Sequence, residues 1–352
     1  MGTQVFYATN RRPIGDATAA PFYGLDAVPG AEGTLRTGLV EITTSPEPEA
    51  ARVVESILPD DAQPPGAVTP TIAAWAANAV ALHIDAVLFI HGYGNTWLDS
   101  VARAAQLRDF YGLPRDGTAF PMSLLAFGWP SDGQVFPPGI HYPHDRADAA
   151  ASAPAFAALI GQIAAVAPTI RATGLRLHLI AHSMGNWALR NGLAALDAAL
   201  KTDPLFDEVV LAAADEDADA LTDAAKLAPL ARVGGRITCY IYPTSIGGWD
   251  PILGISAAIN HQPRLGASWP VGLPAAAGRD DAAISVAGVI EALSDPNLTG
   301  HQYYRNNVQV RRDVISVLEG KPQAAIRGRL ADMTAAAHSH LIGTVPAPPL
   351  IA

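Results

Sequence analysis

The chain holds a single cysteine, Cys239, among its 352 residues. One thiol cannot form an intramolecular disulfide, which excludes the small secreted folds that depend on disulfides. Cys239 lies in an apolar segment, residues 237–241, that is typical of a buried strand. We therefore predict a small core residue at this position and not a nucleophile.

Charged residues are also scarce. They make up 16% of the chain and hydrophobic residues 49%, a composition that favours a large buried core over disorder. The formal net charge is −10. An acidic surface repels nucleic acid and anionic lipid headgroups, so we expect neither as a partner.

The sequence lacks a basic segment followed by an apolar core near residue 1, and it shows no apolar run long enough to span a membrane. These absences predict a cytoplasmic protein with no membrane span. They give no information on the oligomeric state.

Short apolar runs alternate with helical patterns over most of the chain, which predicts an α/β fold with a doubly wound, mostly parallel sheet. Strands are expected at residues 5–9, 38–43, 86–90, 124–127, 175–180, 208–213, 236–242 and 284–290. Helices are expected at residues 97–111, 145–166, 218–227 and 303–318, and a further helix after the strand at 175–180 is expected to end at about residue 200. The carboxyl ends of the parallel strands should meet at one edge of the sheet, where ligands bind.

This pattern also predicts how the chain is organised into a domain, an insertion and a tail. Residues 1–320 form one predicted domain, and the stretch from 45 to 70 is expected to be a surface loop with a short helix. The irregular segment 243–283 is interpreted as a cap-like insertion or a wall of the binding site, because long irregular segments within a domain are often functional. Residues 321–352 form a predicted tail that lies along the surface.

The strongest chemical signal is Ala181-His182-Ser183-Met184-Gly185, which stands between a predicted strand and a predicted helix. A serine on a sharp strand-to-helix turn is exposed as a nucleophile, and small residues two positions either side of it permit the turn. Ala181 stands where glycine is usual, but alanine is also small. The backbone N–H of Met184 should face a developing oxyanion.

A second loop, His91-Gly92-Tyr93-Gly94, follows an earlier predicted strand. Acyl transfer needs two N–H donors at the oxyanion, and we expect Tyr93 to supply the second. His91 and Gly92 should bring this loop close to the substrate. Trp129 and Trp249 are candidates for an apolar substrate wall, although large aromatic residues also pack in cores.

Ser183 requires a general base oriented by a carboxylate. Four histidines follow Ser183 outside its own motif: His261, His301, His338 and His340. His301 is favoured, because it lies between the last predicted strand and the closing helix, and His261 is its rival.

For the acid, Asp250 follows the penultimate predicted strand and is favoured over Asp215 and Asp217, which follow the strand before it. A metal site at His141, His144 and Asp145 is not supported, since no further ligand stands at metal-binding spacing. We expect no metal and no cofactor.

With these motifs the chain resembles a family of bacterial α/β-hydrolase-like proteins catalogued as a domain of unknown function, from about Val5 to Gly320. The resemblance implies the α/β-hydrolase fold, carboxylic ester hydrolysis, and Ser183, Asp250 and His301 as the triad. The matching stretches are Ala8-Thr9-Asn10-Arg11, Phe89-Ile90-His91-Gly92-Tyr93, Gly128-Trp129-Pro130-Ser131, Ile180-Ala181-His182-Ser183-Met184-Gly185-Asn186, Asp250 with Arg264-Leu265-Gly266, and Gly300-His301-Gln302-Tyr303-Tyr304.

The sequence thus predicts a serine esterase or lipase-like enzyme that acts on a small-molecule ester through an acyl-enzyme. Two alternatives remain at this point. The same triad would serve an acyltransferase or amidase, and a hydrolase fold can also serve as a non-catalytic binding protein.

Overall fold

A mostly parallel sheet forms the centre of the protein, as the alternating pattern predicts. The computed structural model describes residues 2–14, 22–43, 52–56, 67–201, 204–246, 248–273, 284–289, 300–331 and 339–342. The strands in these residues are β1 (Thr3–Thr9), β2 (Arg11–Pro13), β3 (Tyr23–Ala27), β4 (Arg36–Thr43), β5 (Arg52–Ser56), β6 (Asp85–Ile90), β7 (Met122–Phe127), β8 (Leu177–His182), β9 (Phe206–Ala212), β10 (Gly234–Ile241), β11 (Ile284–Val289), β12 (Arg329–Ala331) and β13 (Ser339–Ile342).

The helices of the described residues alternate with these strands. They are α1 (Pro70–Leu82), α2 (Trp97–Gly112), α3 (Pro138–Ala151), α4 (Ala153–Arg171), α5 (Gly185–Ala195), α6 (Leu230–Val233), α7 (Pro251–Asn260), α8 (Tyr303–Asn306) and α9 (Val308–Leu318).

Eleven of the described strands form one sheet in the order β12-β13-β11-β10-β9-β8-β6-β7-β1-β4-β5. The run from β13 to β1 is parallel, and the antiparallel pairs lie at its two ends. β2 and β3 form a separate hairpin. Every residue of β7 and β8 is buried, as expected for strands that are covered on both faces.

Two apolar cores lie on opposite faces of the sheet. One contains Trp75 of α1, Phe156 of α4 and Leu189 of α5. The other contains Trp97 of α2 and Val314 of α9. This arrangement is the doubly wound fold that the sequence predicts, and it directs the carboxyl ends of the parallel strands to one edge.

Two predicted helices are each divided in two by local chemistry. The pattern at residues 145–166 belongs to α3 and α4, which meet at Ser152 just before Pro154, a residue with no N–H to continue a helical ladder. The pattern at 303–318 belongs to α8 and α9. Asn307 separates them because its side chain accepts hydrogen bonds from the N–H groups of Gln309 and Val310 and so starts a new helix.

Other expectations were wrong or incomplete. The helix predicted at residues 218–227 is a series of turns, in which Lys226 pairs with the carboxylates of Asp217, Asp219 and Asp223. No element was predicted for α1, although Thr69 caps its start and Pro70 takes its first position. In the stretch 45–70, the structure shows β5, and residues 44–51 and 57–66 lie outside the described part.

The predicted surface tail, residues 321–352, does not simply lie along the surface. Within its described part, β13 pairs in parallel with β11, and β12 pairs with β13, so both strands extend the sheet. These strands have four and three residues, too short for a clear alternating pattern in the sequence.

The segment predicted as a cap-like insertion contains α7 and a return to the sheet. The N–H of Tyr242 donates to the carbonyl of Gly266 at 2.8 Å, and the N–H of Gly266 donates to the carbonyl of Ala214 at 2.9 Å. Residues 247 and 274–283 lie outside the described part.

One described helix, α4, is long and apolar enough by composition to cross a membrane, contrary to the expectation that no such run exists. Its side chains Leu159, Ile160 and Ile163 belong to the buried core beside α1 and α5. Core helices of globular domains pass the same test of length and hydropathy.

Candidate active site

Ser183 lies on the sharp turn between β8 and α5, at the carboxyl edge of the sheet. Its φ is +54°, in the left-handed region that residues with a side chain seldom adopt. A Cβ on Gly185 would stand 2.5 Å from the carbonyl oxygen of His91, and a Cβ on Gly92 would stand 2.7 Å from Cβ of Ser183. Glycine is therefore required at both positions for the two loops to approach.

His301 links the serine to a carboxylate. Its Nε2 lies 3.0 Å from Oγ of Ser183, and its Nδ1 lies 2.8 Å from Oδ2 of Asp250. A carboxylate only accepts hydrogen bonds, so Nδ1 carries the proton and Nε2 is free to accept from the serine hydroxyl. All three residues are buried.

Asp250 has a second task that fixes its orientation. It is the N-cap of α7, and its Oδ1 accepts a hydrogen bond of 3.0 Å from the N–H of Leu253. One carboxylate oxygen therefore holds the helix and the other holds His301. A residue in this position can orient the imidazole with little freedom of its own.

Among the described residues, the side chains of the rivals do not contact His301. Asp215 and Asp217 both contact the buried guanidinium of Arg264, at 2.8 and 2.6 Å. His261 is exposed and ends α7 in the left-handed conformation. His338 lies outside the described residues, and the side chain of His340 is not described.

The loop after β6 is tied down around the predicted oxyanion donors. The side-chain amide of Asn95 donates to the carbonyls of Gly92 and Tyr93, at 2.7 and 2.9 Å, and Asp145 accepts from the N–H of Gly94 at 3.0 Å. The backbone N–H groups of Tyr93 and Met184 have no acceptor among the described residues. Both N–H groups therefore lack a protein partner in the described part of the chain.

His91 and Trp129, two of the residues expected to contact substrate, do not line the cavity above Ser183. Both side chains are buried, and their rings stack on each other at 4.9 Å behind the site. The Trp129 indole N–H donates to the carbonyl of His91 at 2.9 Å. Burial, aided by the charge of Arg11, lowers the pKa of His91 to about 3. Its ring nitrogens lie 2.8 Å from the carbonyl oxygen of Gly92 and 3.2 Å from that of Trp129, so the ring braces the loop. Trp249 is 62% exposed, and it is not among the cavity-lining residues.

His182 was not predicted as a site residue, although it precedes Ser183 in the motif. Its Nε2 lies 3.1 Å from the carbonyl oxygen of His301, and its ring stacks on Tyr304 at 4.3 Å. A carbonyl only accepts, so Nε2 of His182 carries the proton. Burial holds the pKa of His182 well below its ordinary value and keeps the ring neutral, and protonation of His301 would lower that pKa further.

A cavity of about 320 Å³ opens above Ser183 and His301. Two arginines that sequence reasoning missed, Arg103 of α2 and Arg305 of α8, line it together with Gln302. Arg305 stands in the loop-helix segment directly after His301, a position that could have drawn notice. Arg103 gave no signal, because one arginine on an amphipathic helix resembles any solvated position.

One cluster of the described residues could supply metal ligands. Atoms of Asp132, His144 and Asp145 lie within 4.8 Å of one another. The Asp145 carboxylate, however, already accepts hydrogen bonds from Ser131, from Gly94 and from the N–H of Asp132. These carboxylates therefore organise the loops beside the site.

The sequence profile of a family described as "Alpha/beta hydrolase of unknown function (DUF900)" matches residues 74–318. No curated protein and no solved structure matches the chain. The profile covers most of the chain and both loops of the site, so the chain belongs to this family of alpha/beta hydrolases.

Proposed function

We propose that this member of the alpha/beta hydrolase family of unknown function is a serine carboxylic ester hydrolase. The observation that carries the proposal is the continuous hydrogen-bonded series from Ser183 Oγ through His301 to Asp250, at 3.0 and 2.8 Å. A nucleophile, a base and an orienting carboxylate in this geometry are what acyl transfer through a serine requires.

In the proposed first step, Nε2 of His301 takes the hydroxyl proton as Oγ of Ser183 attacks the ester carbonyl carbon. The tetrahedral oxyanion accepts hydrogen bonds from the N–H groups of Tyr93 and Met184. The carbonyl re-forms, the C–O bond to the alcohol breaks, and His301 returns its proton to the leaving oxygen. An ester of Ser183 remains.

In the second step, water attacks the carbonyl carbon of the Ser183 ester while His301 takes a proton from that water. The bond to Oγ then breaks, His301 returns the proton to Ser183, and the carboxylic acid leaves. Asp250 holds the imidazole tautomer and stabilises the imidazolium formed in both steps. The cavity volume of about 320 Å³ is at the low end of the range in which small organic ligands bind, roughly 300–1,000 Å³. A small-molecule ester suits this volume.

A series of p-nitrophenyl esters, with wild type and Ser183→Ala compared, tests the proposal. We expect hydrolysis by the wild type and only the spontaneous rate with the variant. Ser245→Ala, at an exposed serine outside the site, is the matched control and should behave as wild type. Equal rates for wild type and Ser183→Ala would refute the proposal.

A fluorophosphonate probe separates the alternatives, since it reports nucleophilicity without requiring turnover. Labelling of Ser183, located by peptide mass spectrometry, combined with no hydrolysis but ester formation with added alcohol, would favour an acyltransferase. Absence of labelling would favour a non-catalytic binding protein.

A further inference from the structure

Arg103 and Arg305 place two positive charges on the wall of the cavity that contains Ser183. Neither guanidinium has a carboxylate within 4.0 Å in the part of the chain that the structure describes. Burial lowers the pKa of Arg103, and the charge of Arg305 lowers it further, so the two cations repel each other. Two neighbouring cations repel each other, and an anion bound between them would remove this unfavourable interaction.

Neutral amide oxygens hold both guanidinium groups. Nε of Arg103 donates to Oδ1 of the buried Asn95, whose NH₂ group is committed to two backbone carbonyls of the loop after β6. Arg305 donates through Nε to Gln302 and through Nη1 to Gln106, both at 2.8 Å. Amide oxygens fix the direction of a guanidinium without cancelling its charge.

Arginines with fully buried side chains show what a structural role looks like in this protein. Arg264 and Arg329 are paired with carboxylates, and Arg311 is surrounded by backbone carbonyls with its side chain away from the cavity. Arg103 and Arg305 differ because both are only half-buried, both line the cavity, and the Nη groups of Arg103 have no acceptor among the described residues.

We infer that the substrate is an ester that carries a second, anionic group, a carboxylate or a phosphate, which Arg103 and Arg305 bind beside the reacting carbonyl. This inference rests on the proposed esterase function. Arginine presents paired N–H donors that match both kinds of oxyanion, and hydrogen bonds to charged groups are stronger than neutral ones. A neutral ester would leave the two cations on the cavity wall uncompensated.

Matched substrates test the inference on both sides of the ester bond. The first pair is mono-p-nitrophenyl adipate and its methyl ester, which differ in a charge on the acyl side. The second pair is 4-acetoxybenzoate and its methyl ester, and 4-acetoxyphenyl phosphate adds a phosphate at the same position. We expect kcat/KM for the anionic member of at least one pair to exceed that of the neutral member about ten- to a hundredfold.

Arg103→Gln and Arg305→Gln should each lower this anionic-to-neutral ratio about tenfold, and Arg305→Lys should lower it less because the charge remains. Arg108→Gln is the control on the same helix, since Arg108 bonds to the carbonyl of Gln4 at the opposite end of the sheet. Its ratio should equal that of wild type. A preference for the carboxylate or for the phosphate identifies the anion.

The two proposals fail in different ways. Ser183-dependent hydrolysis with no preference in either pair, or a preference that the arginine variants do not reduce, overturns the anion inference alone. Calorimetric titration of Ser183→Ala with monomethyl adipate and dimethyl adipate measures binding without turnover. Binding of the monoanion that Arg305→Gln weakens about tenfold would support an anion site at Arg103 and Arg305 even if the esterase proposal failed. Equal affinity for both compounds would overturn it.

Discussion

Nε2 of His182 lies 3.1 Å from the backbone oxygen of His301, so the residue before the proposed nucleophile holds the main chain of the proposed base. The contact joins the end of β8 to the loop before α8, two segments far apart in sequence. Movement of His301 relative to Ser183 would break it. We therefore assign His182 a positioning role.

His182→Phe should lower kcat about tenfold and leave KM nearly unchanged, because it removes one hydrogen bond to the His301 carbonyl and keeps the stacking on Tyr304. Steady-state kinetics on a p-nitrophenyl ester measures both constants. His182→Gln retains an N–H donor and should recover part of the loss. A fall in kcat that merely parallels a lower unfolding temperature, without recovery by glutamine, would argue against positioning.

Asp250→Asn should lower kcat/KM by about 10³–10⁴, because an amide can favour the wrong tautomer of His301. Asp215→Asn should instead lower the free energy of unfolding by about 3 kcal/mol, with Asp217 still bound to Arg264, and change activity only a few-fold. Ester kinetics and urea unfolding of both variants distinguish the two effects. The reverse result would transfer the acid role to Asp215.

Gly185→Ala should destabilise the protein by about 1–3 kcal/mol and reduce activity strongly, because its Cβ would press on the carbonyl oxygens of His91 and Ile90 and displace Ser183. Gly161→Ala in α4 is the matched control. No atom lies within 4 Å of the Cβ added at Gly161. This variant should therefore raise the free energy of unfolding by about 0.5–1 kcal/mol. Thermal unfolding and the ester assay measure both effects. Equal stability and equal activity of the two variants would contradict this prediction.

Glu216 should make stability depend on pH. Its side chain is buried against Arg190, and burial raises its pKa from 4.5 to about 7 despite the charges of Arg190 and Arg264. The folded chain therefore holds this proton more tightly than the unfolded chain. The protonated carboxyl group of Glu216 therefore stabilises the folded chain fully below about pH 4.5. This stabilisation is lost as the pH rises through about 7.

Glu216→Gln cannot ionise, so relative to wild type it should gain up to about 3 kcal/mol of unfolding free energy between about pH 5 and pH 8. Urea unfolding of both proteins at the two pH values measures this change. Glu319→Gln, at an exposed site, should show no comparable change with pH. If the difference in free energy of unfolding between wild type and Glu216→Gln were the same at both pH values, Glu216 would be ionised throughout.

The sequence located the central strands because strands covered on both faces need unbroken apolar runs, as in β6 and β8. Ser183, Asp250 and His301 are predicted to lie close together because each follows a predicted strand, and the fold brings those strand ends together. The rival acids Asp215 and Asp217 are engaged by Arg264. That contact spans nearly fifty residues and leaves no local pattern.

Other features depend on tertiary contacts that no window of sequence contains. The short strands β12 and β13 form only because β11 offers a partner. The division of the helix expected at 303–318 is an exception, since it results from the local cap of Asn307 on α9. Arg103 joins Arg305 only when α2 and α8 pack together. The burial of His91 and Trp129, which were expected to contact substrate, has the same origin, since their rings stack on each other.

The strands β1 and β13 lie outside residues 74–318, yet they pair with β7 and β11. A fragment cut to residues 74–318 would retain every residue of the proposed triad but would leave two apolar strands with unsatisfied backbone groups. Such exposed edges recruit other chains, and aggregation is the usual outcome. The flanking segments thus act as protective covers, and expression of the shared segment alone would yield insoluble protein for reasons unrelated to its chemistry.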